Sequence, residues 1–258
     1  MSEPAAPRSG PPAQPRDAAT VVILRDGAAF GRRGIEVYLV KRSRMVDFMA
    51  GAHVFPGGRL DKVDTAGEAC AALAATSPSP QERLGEPIAA VHAAGLFLAA
   101  VRETREEAGL MLEVAALVPW VRWVTPEVSP RRFDARFFLA RAPAGQEPRV
   151  DGHEATEGLW IAPKDALQRW EEGGMQLAPA TAKSVEMLSA YSSVDAALAA
   201  AASRPPPLSM PVVWNDKERG NAYISLPGDP RHPLPDVLGG SIRRFRLEEG
   251  RYRAVVAR

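Results

Sequence analysis

A single cysteine, Cys70, stands in a chain of 258 residues, so no intrachain disulfide can form and no cysteine-rich zinc site can be assembled. That fits a reducing compartment, with Cys70 read as a small buried hydrophobe rather than a reactive thiol. Charge of one sign is equally scarce: 32 Lys and Arg against 31 Asp and Glu leave a formal net charge of +1. The basic excess by which nucleic-acid platforms hold a polyanion is therefore missing. The histidines, His53, His92, His153 and His232, do not fall at a metal-binding spacing. No apolar run is long enough to be a membrane helix. The first residues are rich in proline, alanine and small polar side chains, lack the apolar core of a signal peptide, and read as a disordered tail over 1–17. The chain closes Val-Val-Ala-Arg, which is no peroxisomal address, so the expected location is the cytoplasm. With 46% hydrophobic and 24% charged residues, what remains is a soluble globular class, large enough for one domain with extensions.

Two β-branched runs, Ala19 to Arg25 and Ile35 to Arg42, predict an opening hairpin. Thr65 to Thr76 is alanine-rich and predicts a helix, interrupted at Ser77-Pro-Ser-Pro80, with helix resuming near Pro87. Strands are expected at Val118 to Val124, Phe133 to Ala140 and Gly158 to Ile161, and a helix over Ala162 to Glu172. In the last third, Thr181 to Tyr191 and Val194 to Ala202 read as helices, and Ser241 to Phe245 with Tyr252 to Val256 as a hairpin. That region has two readings: packing and dimer contact, which leaves a homodimer open, or a lining for part of a ligand pocket.

The chemistry is concentrated in Arg102-Glu-Thr-Arg-Glu-Glu-Ala-Gly-Leu110. At 3.6 residues per turn, Glu103, Glu106 and Glu107 share one sector of a helix. Such a run is either a solvated face or a site where a hard cation neutralises three crowded carboxylates. The helix is amphipathic, with Ala94, Phe97, Leu98, Val101 and Ala108 opposite the acids, and Gly109 closes it. Upstream, His53-Val-Phe-Pro-Gly-Gly58 is a short strand entering a turn whose backbone can approach a ligand closely.

Together these segments resemble the Nudix hydrolase signature, whose second half is matched from Arg102 to Gly109 with Thr104 at an aliphatic position. The signature's glutamate is expected at Ala94, so the box is split by an insertion at about 61–90 and Arg102 must find another carboxylate. The pattern Arg42-Ser43, Gly51 and Phe55 to Gly58 is similar to the branch containing the peroxisomal coenzyme A diphosphatase and its bacterial relatives, with Asp47 where that branch has a second arginine. Trp123 to Phe138 also looks like this branch.

The resemblance implies a mixed-sheet α/β/α sandwich of the α/β (α+β) class over 18–165, with 166–258 as a C-terminal extension packed on the same domain. It implies a diphosphatase using Mg²⁺ or Mn²⁺, with Glu103, Glu106 and Glu107 as metal ligands and Arg102 as their brace. A small nucleotide is the implied partner, held by Arg42, Gly57, Gly58 and Arg132, the last preferred over Arg131 and Arg136. A base is sought at Glu154 or Glu157, beside the alternative of a solvated loop, and His53 is either structural or near the site. Coenzyme A or an acyl derivative leads among substrates; an ADP-ribose or NADH pyrophosphatase, a non-catalytic nucleotide-binding module and an RNA-cap hydrolase are the alternatives.

Overall fold

The computed structural model describes residues 12–27, 34–43, 49–150, 152–153, 155–216 and 220–255. Asp47, Phe48 and Glu154 lie outside these described residues, as does 1–11 of the expected tail. The rest of that tail is placed, because β1 (Arg16–Gly27) already begins at Arg16.

The predicted hairpin forms from β1 and β2 (Gly34–Arg42), antiparallel with Leu24 opposite Val37. β3 (His53–Val54) pairs with β2, and β4 (Gly57–Arg59) pairs with the start of β1. The insertion follows, with α1 (Gly67–Ala74) and α2 (Pro80–Leu84), then the long α3 (Ala90–Ala108). Helix resumes earlier than expected because Ser79 caps α2, bonding the Glu82 N–H while Glu82 reaches back to Ser79, with Pro80 in the first turn. β5 (Val118–Val124) and β6 (Phe133–Arg141) are antiparallel, β6 runs parallel to β1, and β7 (Ala155–Ile161) pairs with β2.

The alternation of β1 divides the core. Ala19, Val21 and Ile23 face α3 together with Phe138, while Val22 and Leu24 lie on the other side with Phe137 and Leu139. That second side is covered by α4 (Pro163–Glu171), α5 (Pro179–Leu188) and α6 (Val194–Ala202). The result is the expected three-layer α/β/α arrangement, with the extension supplying part of one layer.

Beyond α6, β8 (Leu208–Ser209) joins β5 in parallel. β9 (Val212–Asp216), β10 (Asn221–Ser225), β11 (Arg244–Glu248) and β12 (Arg251–Ala254) form a separate antiparallel sheet in the order β12-β11-β10-β9. The β11–β12 hairpin was legible in the sequence; β9 and β10 were not, being short and set among prolines. Among the described residues no helix is long and apolar enough to cross a membrane.

Candidate active site

The C-terminal half of α3 brings Glu103, Glu106 and Glu107 to the wall of one cavity that also includes Gly57, Gly58 and Arg42. Their surroundings differ. Glu107 is buried, and its Oε2 accepts the Gly57 N–H at 2.9 Å. Glu103 is 14% exposed; burial pushes its carboxyl up from the ordinary range, Arg102 pulls it back, and Glu106 and Asp61 add repulsion. Glu106 is half exposed. Thr104, on the opposite face, is fully buried and donates its hydroxyl to the Ala100 carbonyl at 2.8 Å.

The glycine pair is required by contact distance. A Cβ on Gly58 would stand 2.4 Å from the Glu103 carboxyl carbon, and one on Gly57 would stand 2.4 Å from the Ala19 carbonyl oxygen. Strand β4 can therefore lie between β1 and the acids only because it carries no side chain there.

Arg102 has the carboxylate partner that Ala94 could not provide. Its Nε and Nη2 grip the two oxygens of Asp64, each at 2.9 Å. Nη2 also donates to the Arg59 carbonyl at 3.0 Å, and Nη1 donates to Glu103 at 2.8 Å and Glu106 at 3.0 Å. All the donors of the guanidinium are committed, and the Asp64 pair is the largest influence holding it charged. Ala94 itself is fully buried in the α3 interface. Asp64 belongs to the start of the insertion, in a single 3-10 turn, Lys62–Thr65, where it also accepts the Asp61 N–H at 2.9 Å. Gly95 admits this turn to α3, since a Cβ there would meet Thr65 Cγ2 at 2.6 Å. Counting forward from Gly58, rather than back from Arg102, was the signal that would have found Asp64.

A second carboxylate from the insertion braces the sheet. Glu86 pairs with Arg136 at 2.7 Å and Arg122 at 3.0 Å, and Arg122 pairs with Asp134 at 2.6 Å. Asp17 bonds Arg136 and lies 3.1 Å from His92. Arg136 is thus held among carboxylates and contributes no face to the cavity.

Arg132 departs from the expected role of phosphate contact. It is 8% exposed, its Nε donates to the Thr125 carbonyl at 3.0 Å and its Nη1 to the Ala13 carbonyl at 2.8 Å, and it is absent from the cavity wall. The neighbouring Arg131, in the bend that precedes β6, lines the cavity. Glu157 sits on β7 beside Lys41 at 3.3 Å, away from the cavity wall. His53 is buried, its backbone N–H bonded to the Gln176 carbonyl at 2.7 Å, and it too is outside the wall. Cys70 is buried, with burial pushing its thiol up.

Among the described residues, no group of three or more His, Cys, Asp and Glu side chains closes into a ready-made metal set. The donors that α3 presents to the cavity nevertheless suit a hard divalent cation: Glu103, Glu106 and Glu107 offer carboxylate oxygens, Glu103 is desolvated and repelled by its neighbours, and glycine keeps the facing strand clear.

The cavity is about 1510 Å³, larger than the roughly 300–1,000 Å³ typical of small-ligand sites. From the acids it runs past Thr20 to Trp123, Phe133 and Phe137 and reaches the second sheet at Val213, Ile224 and Tyr252. The C-terminal extension therefore walls the site as well as packing against the domain.

No family model matches the chain. It is 24% identical over 251 residues to the acyl-coenzyme A diphosphatase NUDT19 of Gallus gallus, covering 64% of this chain and 65% of the relative. It is also 24% identical over 216 residues to the acyl-coenzyme A diphosphatase NUDT19 of Xenopus laevis, covering 56% of this chain and 57% of that protein. The chain thus spans somewhat under two thirds of the curated relatives it matches. Among solved structures, a NUDIX hydrolase from Alicyclobacillus acidocaldarius superposes with a TM-score of 0.59 at 27% identity, over 72% of this chain and 96% of the other.

Proposed function

We propose that this chain, which belongs to the Nudix hydrolase superfamily and is related to the coenzyme A diphosphatases, hydrolyses the diphosphate of coenzyme A or an acyl-coenzyme A. The products are a 4′-phosphopantetheine species and adenosine 3′,5′-bisphosphate. The observation that carries this is one continuous cavity with the α3 carboxylates, Asp61 and two glycines at one end and a largely apolar wall at the other. A nucleotide joined through a diphosphate to a long arm has that same division of chemistry. The relatives named acyl-coenzyme A diphosphatase support it.

Water attacks one phosphorus of the diphosphate and the bond from that phosphorus to the bridging oxygen breaks, so each product keeps one of the two diphosphate phosphoryl groups and the adenosine product retains its 3′-phosphate as well. Mg²⁺ or Mn²⁺, held by Glu103, Glu106 and Glu107, would neutralise the diphosphate and acidify a bound water. The chain's own residues set the geometry. Glu107 is fixed by the Gly57 N–H, and Glu103 is pinned between Gly58 and Arg102. Arg102 has no donor left for substrate and acts as a brace. Arg42 and Arg131 put positive charge on the wall that a phosphate-rich ligand would meet.

The test is to incubate the protein with Mg²⁺ or Mn²⁺ and coenzyme A, acyl-coenzyme A, ADP-ribose and NADH, identifying products by mass. Cleavage of the coenzyme A compounds is expected, and Glu107→Gln should lower kcat about a thousandfold, corresponding to the several kcal/mol a correctly held cation contributes. Cleavage of ADP-ribose or NADH alone would replace the substrate; full activity of Glu107→Gln would remove Glu107 as a ligand.

A further inference from the structure

We infer that the second sheet, β9 to β12, is an acyl-chain subsite that makes the enzyme select acyl-coenzyme A over free coenzyme A; this rests on the coenzyme A reading above. Register identifies the face involved. Asn215, Ala222, Leu247 and Tyr252 are paired across the four strands, and in the next row of the same pleat Val213 stands opposite Ile224. All six line the cavity. Period-two alternation puts Trp214 and Tyr223 on the opposite side, where their rings stack at 4.3 Å under the Arg231 guanidinium. The row on the other side carries the aliphatic Val213, Ala222, Ile224 and Leu247 between Asn215 and Tyr252, and Tyr223 also borders the cavity.

The facing wall is apolar as well. Trp123 and Ala135 are paired across β5 and β6, Phe137 follows two residues on along β6, and Phe55 meets Phe137 edge-on at 6.2 Å. The aliphatic side chains Val213, Ala222, Ile224 and Leu247 suit a flexible hydrocarbon, which gains from burial against them without needing a fixed orientation. Continuity with the carboxylate end fixes the order of occupancy, with the diphosphate at α3 and the apolar tail between the two sheets.

Each methylene transferred from water into such a wall tightens binding by up to about fourfold. Coenzyme A and its acetyl, hexanoyl and dodecanoyl thioesters should therefore show rising kcat/KM with chain length in the wild type, by at least tenfold from coenzyme A to hexanoyl-coenzyme A. Ala222→Trp fills the middle of the wall and should abolish that rise while changing free coenzyme A turnover by less than threefold. Leu247→Asp, at a half-buried position, is the second variant should the tryptophan disturb folding, and urea midpoints report on both. Turnover of coenzyme A with no chain-length dependence, or a dependence that survives both variants, overturns the subsite and leaves the diphosphatase reading intact. Turnover of ADP-ribose with none of the coenzyme A series overturns both.

Discussion

Replacing Asp64 tests the architecture of the site at its least anticipated point. The Asp64 carboxylate is 3% exposed and the Arg102 side chain 18% exposed, so the pair is largely shielded from solvent. Removing one partner of a buried ion pair costs about 3–5 kcal/mol because the other is left uncompensated. Arg102 keeps Glu103, Glu106 and the Arg59 carbonyl, which places Asp64→Ala at the low end, about 3 kcal/mol. With a denaturant slope of about 3 kcal/mol/M, that is a fall of about 1 M in the urea midpoint. Asp64→Asn retains one acceptor oxygen and should lose about half as much. The second consequence concerns the acids. A guanidinium freed from Asp64 swings toward Glu103 and Glu106 and competes with any cation there, so half-saturation by Mn²⁺ should rise about tenfold or more, the usual size of an outer-partner effect. Equilibrium urea unfolding and calorimetric Mn²⁺ titration measure the two separately. An Asp64→Ala protein within 1 kcal/mol of wild type and unchanged in Mn²⁺ affinity would refute the assignment of Asp64 as the anchor of Arg102.

Three further outcomes follow from contacts already described. Gly58→Ala drives a methyl into the Glu103 carboxyl and should reduce kcat about a hundredfold, as an ångström of misplacement does, while near-native circular dichroism shows the fold retained. Arg132→Ala should cost about 2 kcal/mol of stability through its lost carbonyl bonds with little effect on KM once folded, whereas Arg131→Ala should raise KM; a rise in KM for Arg132→Ala alone would restore Arg132 as the phosphate contact. His53 has its pKa lowered mainly by burial, with Lys41 adding to the shift and Glu157 and the Gln176 contact opposing it. The folded state therefore binds fewer protons than the unfolded chain below about pH 6.5, and stability falls with acidification through that range by at most about 1.4 kcal/mol per pH unit. His53→Phe should flatten the dependence of the urea midpoint between pH 7.5 and 5.5 by that amount, and an unchanged slope would show that His53 is not its source.

How much of this was legible in the sequence follows the range of the interactions. The β1–β2 hairpin, α3 with its acid sector, and the pairing segments β5 and β6 were visible because period and capping are local properties of the chain. The same locality set Glu103, Glu106 and Glu107 on one sector, and it allowed Phe55 to Gly58 to be recognised as a close-approach turn. Arg132 was preferred over Arg131 because adjacency to aromatic residues says nothing about which side chain turns inward. β9 and β10 carry too few residues for a pattern to emerge, and their strand character comes from cross-strand pairing.

Short-range pattern alone specified the acid-rich end of the cavity: which acids, on what helix, after which glycines. What surrounds that end came from contacts between distant segments. Asp64 reaches Arg102 across 38 positions of chain, Glu86 reaches Arg136 across 50, and the second sheet closes the cavity from beyond residue 211. Such contacts depend on which elements the core brings together, and a short-range pattern in one sequence holds no record of that meeting.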